Sequence, residues 1–127
     1  MRLRVVAVDD SPPVLRQLMY LLGIEFDVVG SAENGQMALD VIKNTRPDVV
    51  VLDLEMPILN GIQVTRELRK MGPSPSVVIC TVEIDPGIIE AALQAGALGY
   101  VFKIYLSQDL IKAVKLAARG ESFVSSL

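Results

Sequence analysis

Short apolar, strand-like runs alternate with helix-period segments along the chain, and that alternation narrows the possible folds more than any other feature. Strand-like runs lie near residues 4–8, 26–30, 48–52, 77–81 and 99–102, and amphipathic segments near 12–23, 35–45, 61–71, 86–95 and 107–119. Strict alternation of this kind is the pattern of repeated βαβ units, which build a parallel sheet with helices on both faces. Strands covered on both faces need no polar positions, and Val49-Val50-Val51-Leu52 has none. The mean hydropathy of +0.45 belongs to such a sheet, because no apolar stretch approaches the ~18 residues of a membrane span. The expectation is one α/β domain over residues 1–127, a five-stranded (βα)5 sandwich.

Local signals place the helices. Ser11 before Pro12 reads as a capping hydroxyl followed by proline in the first turn. Val14, Leu15, Leu18, Leu21 and Leu22 then recur at helical spacing and give that helix a buried face. Asp85-Pro86 and Ser107 mark two more starts, while Gly23, Gly72, Gly96 and Gly120 sit where helices should stop. The amino terminus lacks the shape of a signal peptide, and a single cysteine suggests a cytoplasmic chain in which Cys80 is a small core residue. A net charge of −3 argues against a nucleic-acid grip. With no histidine in the chain, a Ser-His-Asp triad and a phosphohistidine carrier are both excluded.

Three acids terminate two of the apolar runs. Arg4-Val5-Val6-Ala7-Val8 leads into Asp9-Asp10, and Val49-Val50-Val51-Leu52 leads into Asp53. In one parallel sheet all three meet at its carboxyl edge, where ligand sites of open α/β sheets form. One acid at a strand end is ordinarily a cap or turn residue, but three converging like charges must hold protons or a cation. Mg²⁺ takes oxygen ligands, usually one or two carboxylates with waters and a phosphate oxygen. Asp10 and Asp53 are expected to bind it directly and Asp9 through a water, with the backbone carbonyl of Glu55 completing the set.

Asp53, at the tip of the central strand, is best placed as a nucleophile that accepts a phosphoryl group as an aspartyl phosphate. Such transfer needs positioning and charge neutralisation, which a metal and a lysine supply. Lys103 follows Gly99-Tyr100-Val101-Phe102 and so emerges at the same edge, where pairing with Asp53 or the phosphate competes with simple solvation. Thr81 ends Ser76-Val77-Val78-Ile79-Cys80 and is either a strand-terminal β-branched residue or a hydroxyl donor to a phosphoryl oxygen.

Asp9-Asp10, Asp53 with Met56-Pro57 and Gly61, Thr81 and Lys103 together resemble the receiver domain of two-component response regulators, nearly end to end. The resemblance implies the flavodoxin-like sheet with strand order 2-1-3-4-5. It implies Asp53 as phosphoacceptor, Asp9 and Asp10 as metal-binding acids for Mg²⁺, and Thr81 with Lys103 as the phosphate-sensing pair. Tyr100 is then the aromatic switch that turns inward on phosphorylation, against the alternative of an amphipathic surface aromatic. The phosphodonor implied is a sensor histidine kinase, and the chain is a signalling switch rather than an enzyme.

Two positions depart from the family pattern. Ile104 follows Lys103 where a cis proline is usual, so a trans loop that moves the lysine is expected. Val82 follows Thr81 where a small residue is common, and its methyls narrow the approach to Asp53. Asp109-Leu110-Ile111-Lys112-Ala113-Val114 and Ala117 to Phe123 resemble the exit of LuxR/NarL-type regulators, whose DNA-binding domain follows in the chain. No such domain fits within 127 residues, so this chain itself should not bind DNA, and phosphorylation should promote a homodimer through the fifth helix. Three rivals compete with this reading. An aspartyl-phosphate phosphatase needs an Asp-x-Asp pair that Asp9-Asp10-Ser11 lacks, and a flavin binder would suffer repulsion between the acids and the flavin phosphate. A degenerate receiver acting through protein contacts alone is opposed by the complete acid set.

Overall fold

The computed structural model describes residues 2–127. Its elements are β1 (Arg4–Val8), α1 (Pro12–Gly23), β2 (Asp27–Ala32), α2 (Gly35–Thr45), β3 (Val49–Leu52), α3 (Gly61–Lys70), β4 (Ser76–Thr81), α4 (Pro86–Ala95), β5 (Gly99–Phe102), a 3-10 turn (Lys103–Tyr105), α5 (Leu106–Ala118) and β6 (Phe123–Val124). The sheet is parallel, in the order β2-β1-β3-β4-β5-β6. The first five strands follow the expected order, and the fold is flavodoxin-like. The sixth strand was not anticipated: two residues are too few for any periodicity, and they pair only with Gly99 and Tyr100.

Because side chains alternate across a strand, each central strand feeds two cores. Val6, Val8, Val50, Leu52, Ile79 and Tyr100 face α2, α3 and α4, where Leu39, Ile42, Val64 and Leu68 meet them. Val5, Ala7, Val49, Val51, Val78, Cys80 and Val101 face α1 and α5, packing on Leu18, Leu22, Leu110 and Val114. Cys80 is a core residue as expected, and burial pushes its thiol up to about 12, which keeps it protonated.

Several element ends differ from the sequence reading, most by one residue. β2 runs on to Ala32 rather than stopping at residue 30, because an edge strand keeps its ladder through the polar Gly30-Ser31 step. Ser11 flanks α1 but its hydroxyl makes no cap; Pro13 at the second helical position removes one of the two amides that a capping hydroxyl uses. α5 starts at Leu106 rather than Ser107, continuing from the 3-10 turn. Gly72, Gly96 and Gly120 do adopt positive φ just beyond α3, α4 and α5, whereas Gly23 is simply the last residue of α1.

Candidate functional site

The parallel register brings the ends of β1, β3, β4 and β5 to one edge. Val8 pairs with Leu52, Leu52 with Ile79, and Thr81 with Phe102. Asp9-Asp10, Asp53, Thr81 and Lys103 are the residues at or just past those ends. The chain reverses its winding between β1 and β3, which is where a crevice opens in sheets of this type.

One oxygen from each of Asp9, Asp10 and Asp53 lies within 4.8 Å of the others. Asp9 is fully buried and Asp53 6% exposed, whereas Asp10 is exposed. Backbone amides orient the two buried acids: Ser11 N donates to Asp9 Oδ1 at 2.9 Å, and Leu54 N donates to Asp53 Oδ1 at 2.7 Å. Lys103 Nζ spans the pair. Its contact with Asp53 Oδ2 is 3.3 Å, but its shorter one, at 2.9 Å, is with Asp9 Oδ2. Pairing with Asp53 was expected from the sequence; the closer pairing with Asp9 was not. Beyond that ammonium, no donor meets Asp9 Oδ2 in hydrogen-bonding geometry, and among the described residues it is the one buried side-chain polar atom so left. Three clustered carboxylates, one of them facing solvent, fit a hard divalent cation with some of its own water.

The charge balance agrees. Burial raises the Asp53 carboxyl above its ordinary value; Lys103 opposes that, Asp9 adds to it, and the Leu54 amide pulls down again. Burial alone would lower the Lys103 ammonium, but the two carboxylates raise it on balance. The sign for Asp53 yields a stability prediction. An acid whose folded pKa lies above its unfolded one gives stability that is complete below the unfolded value and lost as pH rises through the folded value. Ionised Asp53 therefore works against the fold at neutral pH. In metal-free buffer, Asp53→Asn is expected to unfold at a higher temperature than the parent at pH 7, with the gap closing below the ordinary value of 3.8. A variant no more stable than the parent at pH 7 would contradict this charge balance.

The Lys103–Ile104 peptide is trans, with no cis bond among the described residues, yet Lys103 still reaches both acids. Ile104 and Val82 are exposed, at 70% and 67%. Glu55 is also exposed and lies with Asp10, Met56, Asn60, Ile62 and Ile88 along a cleft beside Asp53. In the same loop Ile58 holds φ at 73°, a strained conformation for a β-branched residue. Thr81 Oγ1 accepts from Glu83 N at 3.3 Å. Tyr100 already faces inward, where the sequence reading had it turn inward on phosphorylation: it is fully buried, and its hydroxyl donates to the Glu83 carbonyl at 2.9 Å. Burial, with Glu83 and other nearby acids, pushes that phenol up to about 12, so it remains a donor. Sequence reasoning missed Glu83 as a partner, and no signal was available, because the accepting group is backbone.

Comparison with known proteins points the same way. Residues 5–115 match the model of the response regulator receiver domain. The positive alginate biosynthesis regulatory protein of Pseudomonas aeruginosa is 39% identical over 92% of this chain and 48% of its own length. The nitrate/nitrite response regulator NarL of Escherichia coli is 33% identical over 95% of this chain and 57% of its own. The chain thus spans about half the length of these curated relatives. The signal receiver domain of the putative NarL of Mycobacterium tuberculosis superposes with a TM-score of 0.90 at 34% identity, covering 94% of this chain and 98% of that one.

Proposed function

The chain belongs to the response regulator receiver domain family, and we propose that it accepts a phosphoryl group on Asp53 from a sensor histidine kinase. The observation that carries this reading is Lys103 held on two buried acids, Asp9 at 2.9 Å and Asp53 at 3.3 Å, beside an exposed third, Asp10. In the step proposed, an Asp53 carboxylate oxygen attacks phosphorus. The P–O bond forms as the P–N bond to the kinase histidine breaks, and the departing ring nitrogen keeps the electron pair.

Asp10, Asp53 and the Glu55 carbonyl would hold Mg²⁺, with Asp9 acting through a water. The bound ion would supply charge neutralisation for the phosphoryl oxygens. Lys103 adds a fixed positive charge at the same place, and the Thr81 hydroxyl is the donor for a phosphoryl oxygen. The product brings about −1.5 to −2 charges into the pocket. Lys103 and Thr81 then move toward it, and the β4–α4 loop, which Glu83 ties to Thr81 through its amide and to the buried Tyr100 through its carbonyl, shifts with them. This is a two-state repacking of the α4–β5–α5 face.

The output is proposed to lie outside this chain, in a DNA-binding domain of the kind implied by the transcriptional relatives, and the protein to work in the cytoplasm. Among the described residues no helix is long and apolar enough to cross a membrane. With 12 basic against 15 acidic residues, this chain lacks the positive surface that DNA phosphates require. Pairing with a second copy through α5 is the proposed signal. Leu110 and Val114 are spent on the core, while Ile111 and Leu116 are only half-buried.

Acetyl phosphate with Mg²⁺ tests the reading. Intact mass should rise by one phosphoryl group, chelation of the metal should prevent it, and light scattering should show the labelled chain associating. An unchanged mass would count against the function, and a labelled monomer against the pairing.

A further inference from the structure

After α5 the chain returns to the sheet edge and makes a bond that strand pairing alone does not call for. Ser125 N donates to the Tyr100 carbonyl at 2.9 Å, in the manner of a ladder. Further along β5, β6 has already ended at Val124, and the Phe102 amide meets a side chain instead: it donates to Ser125 Oγ at 3.1 Å. That hydroxyl donates in turn to Asp109 Oδ2 at 2.7 Å. Phe102, Ser125 and Asp109 are 4%, 4% and 6% exposed. A buried amide without a partner is costly, and only a group that both accepts and donates can serve the amide and the carboxylate together.

These bonds bracket Lys103. Phe102 immediately precedes it, and Asp109 stands in the first turn of α5, which continues directly from the turn over Lys103–Tyr105. One hydroxyl therefore ties the backbone before that turn to the helix after it. We propose that Ser125 and Asp109 are positioning residues for Lys103, holding the Lys103–Tyr105 turn so that its ammonium stays on Asp9 and Asp53. The consequence for phosphoryl transfer rests on the function proposed above; the positioning itself does not.

Nuclear magnetic resonance of the Lys103 amide and ammonium in the unphosphorylated chain tests the positioning directly. Ser125→Ala is expected to shift both signals and to slow labelling by phosphoramidate about tenfold, the equivalent of one lost charge-positioning contact. Ser125→Thr keeps the hydroxyl and should restore both, and Asp109→Asn, which keeps an acceptor, should fall between. Ile42→Val, a core truncation on the opposite face of the sheet, should leave Lys103 unmoved and so controls for lost stability. Lys103 signals in Ser125→Ala matching the parent would overturn the positioning role, as would equal displacement in Ile42→Val. Displaced signals with undiminished labelling would overturn its bearing on transfer. A parent chain that takes no phosphoryl group would refute the proposed function while leaving the resonance result to stand or fall separately.

Discussion

Gly61→Ala is expected to lower the stability of the chain by about 1–3 kcal/mol, the range for forcing a methyl into packed surroundings. A Cβ built at Gly61 would lie 2.5 Å from the Asp53 carbonyl oxygen and 3.0 Å from the Leu54 Cα, both backbone atoms that cannot swing aside. The close approach arises because α3 begins directly against the end of β3. Gly61 N donates to the Leu54 carbonyl at 2.8 Å, and the Asn60–Gln63 capping box fixes the helix start. The displaced atoms would be those that carry the Asp53 carboxylate, so phosphoryl labelling should fall along with stability. Urea titration should show a lower midpoint with an unchanged slope. Gly23→Ala is the contrast, since nothing lies within 4 Å of a Cβ there, and a change near zero or slightly stabilising is expected. Equal midpoints for Gly61→Ala and the parent would mean that the helix start can back away from the strand.

Asp53→Asn is expected to abolish the phosphoryl adduct altogether while the fold persists. The amide is nearly the same size and can still accept the Leu54 N–H, but it is a far weaker nucleophile toward phosphorus than the carboxylate. Lys103 also pairs with Asp9, at 2.9 Å in the parent, and that contact should keep the lysine in place without the Asp53 charge. Loss of labelling with a cooperative unfolding transition intact would separate chemistry from folding. Undiminished labelling would move the acceptor elsewhere, with Asp9 and Asp10 the first candidates.

Most of the fold was legible because a parallel sheet buried on both faces leaves unbroken apolar runs, as at Val5–Val8 and Val49–Leu52. The acid cluster was legible for a related reason, since strand ends in such a sheet share one edge. What escaped depends on tertiary geometry that carries no residue pattern. β6 is two residues long and owes its place to Ser125 and the β5 edge. Whether Tyr100 lies inward or on the surface was undecided in the sequence, because an amphipathic aromatic suits either place; the Glu83 carbonyl and the packing against α4 decide it. The preference of Lys103 for Asp9 depends on a turn whose path the sequence does not specify. Ile58 at positive φ runs against its own propensity, and a residue held that way by its surroundings is not found by rules that describe unstrained chains.

The most direct test of Asp53 as acceptor is to locate the phosphoryl group chemically. An acyl phosphate is reduced by borohydride, which cleaves the C–O bond to phosphate and turns the modified aspartate into homoserine, so peptide mass mapping after reduction identifies the residue. The chain labelled by acetyl phosphate with Mg²⁺ is expected to yield homoserine at position 53 and at no other aspartate. Homoserine at position 9 or 10, or a phosphoryl group retained on serine or threonine, would contradict the account.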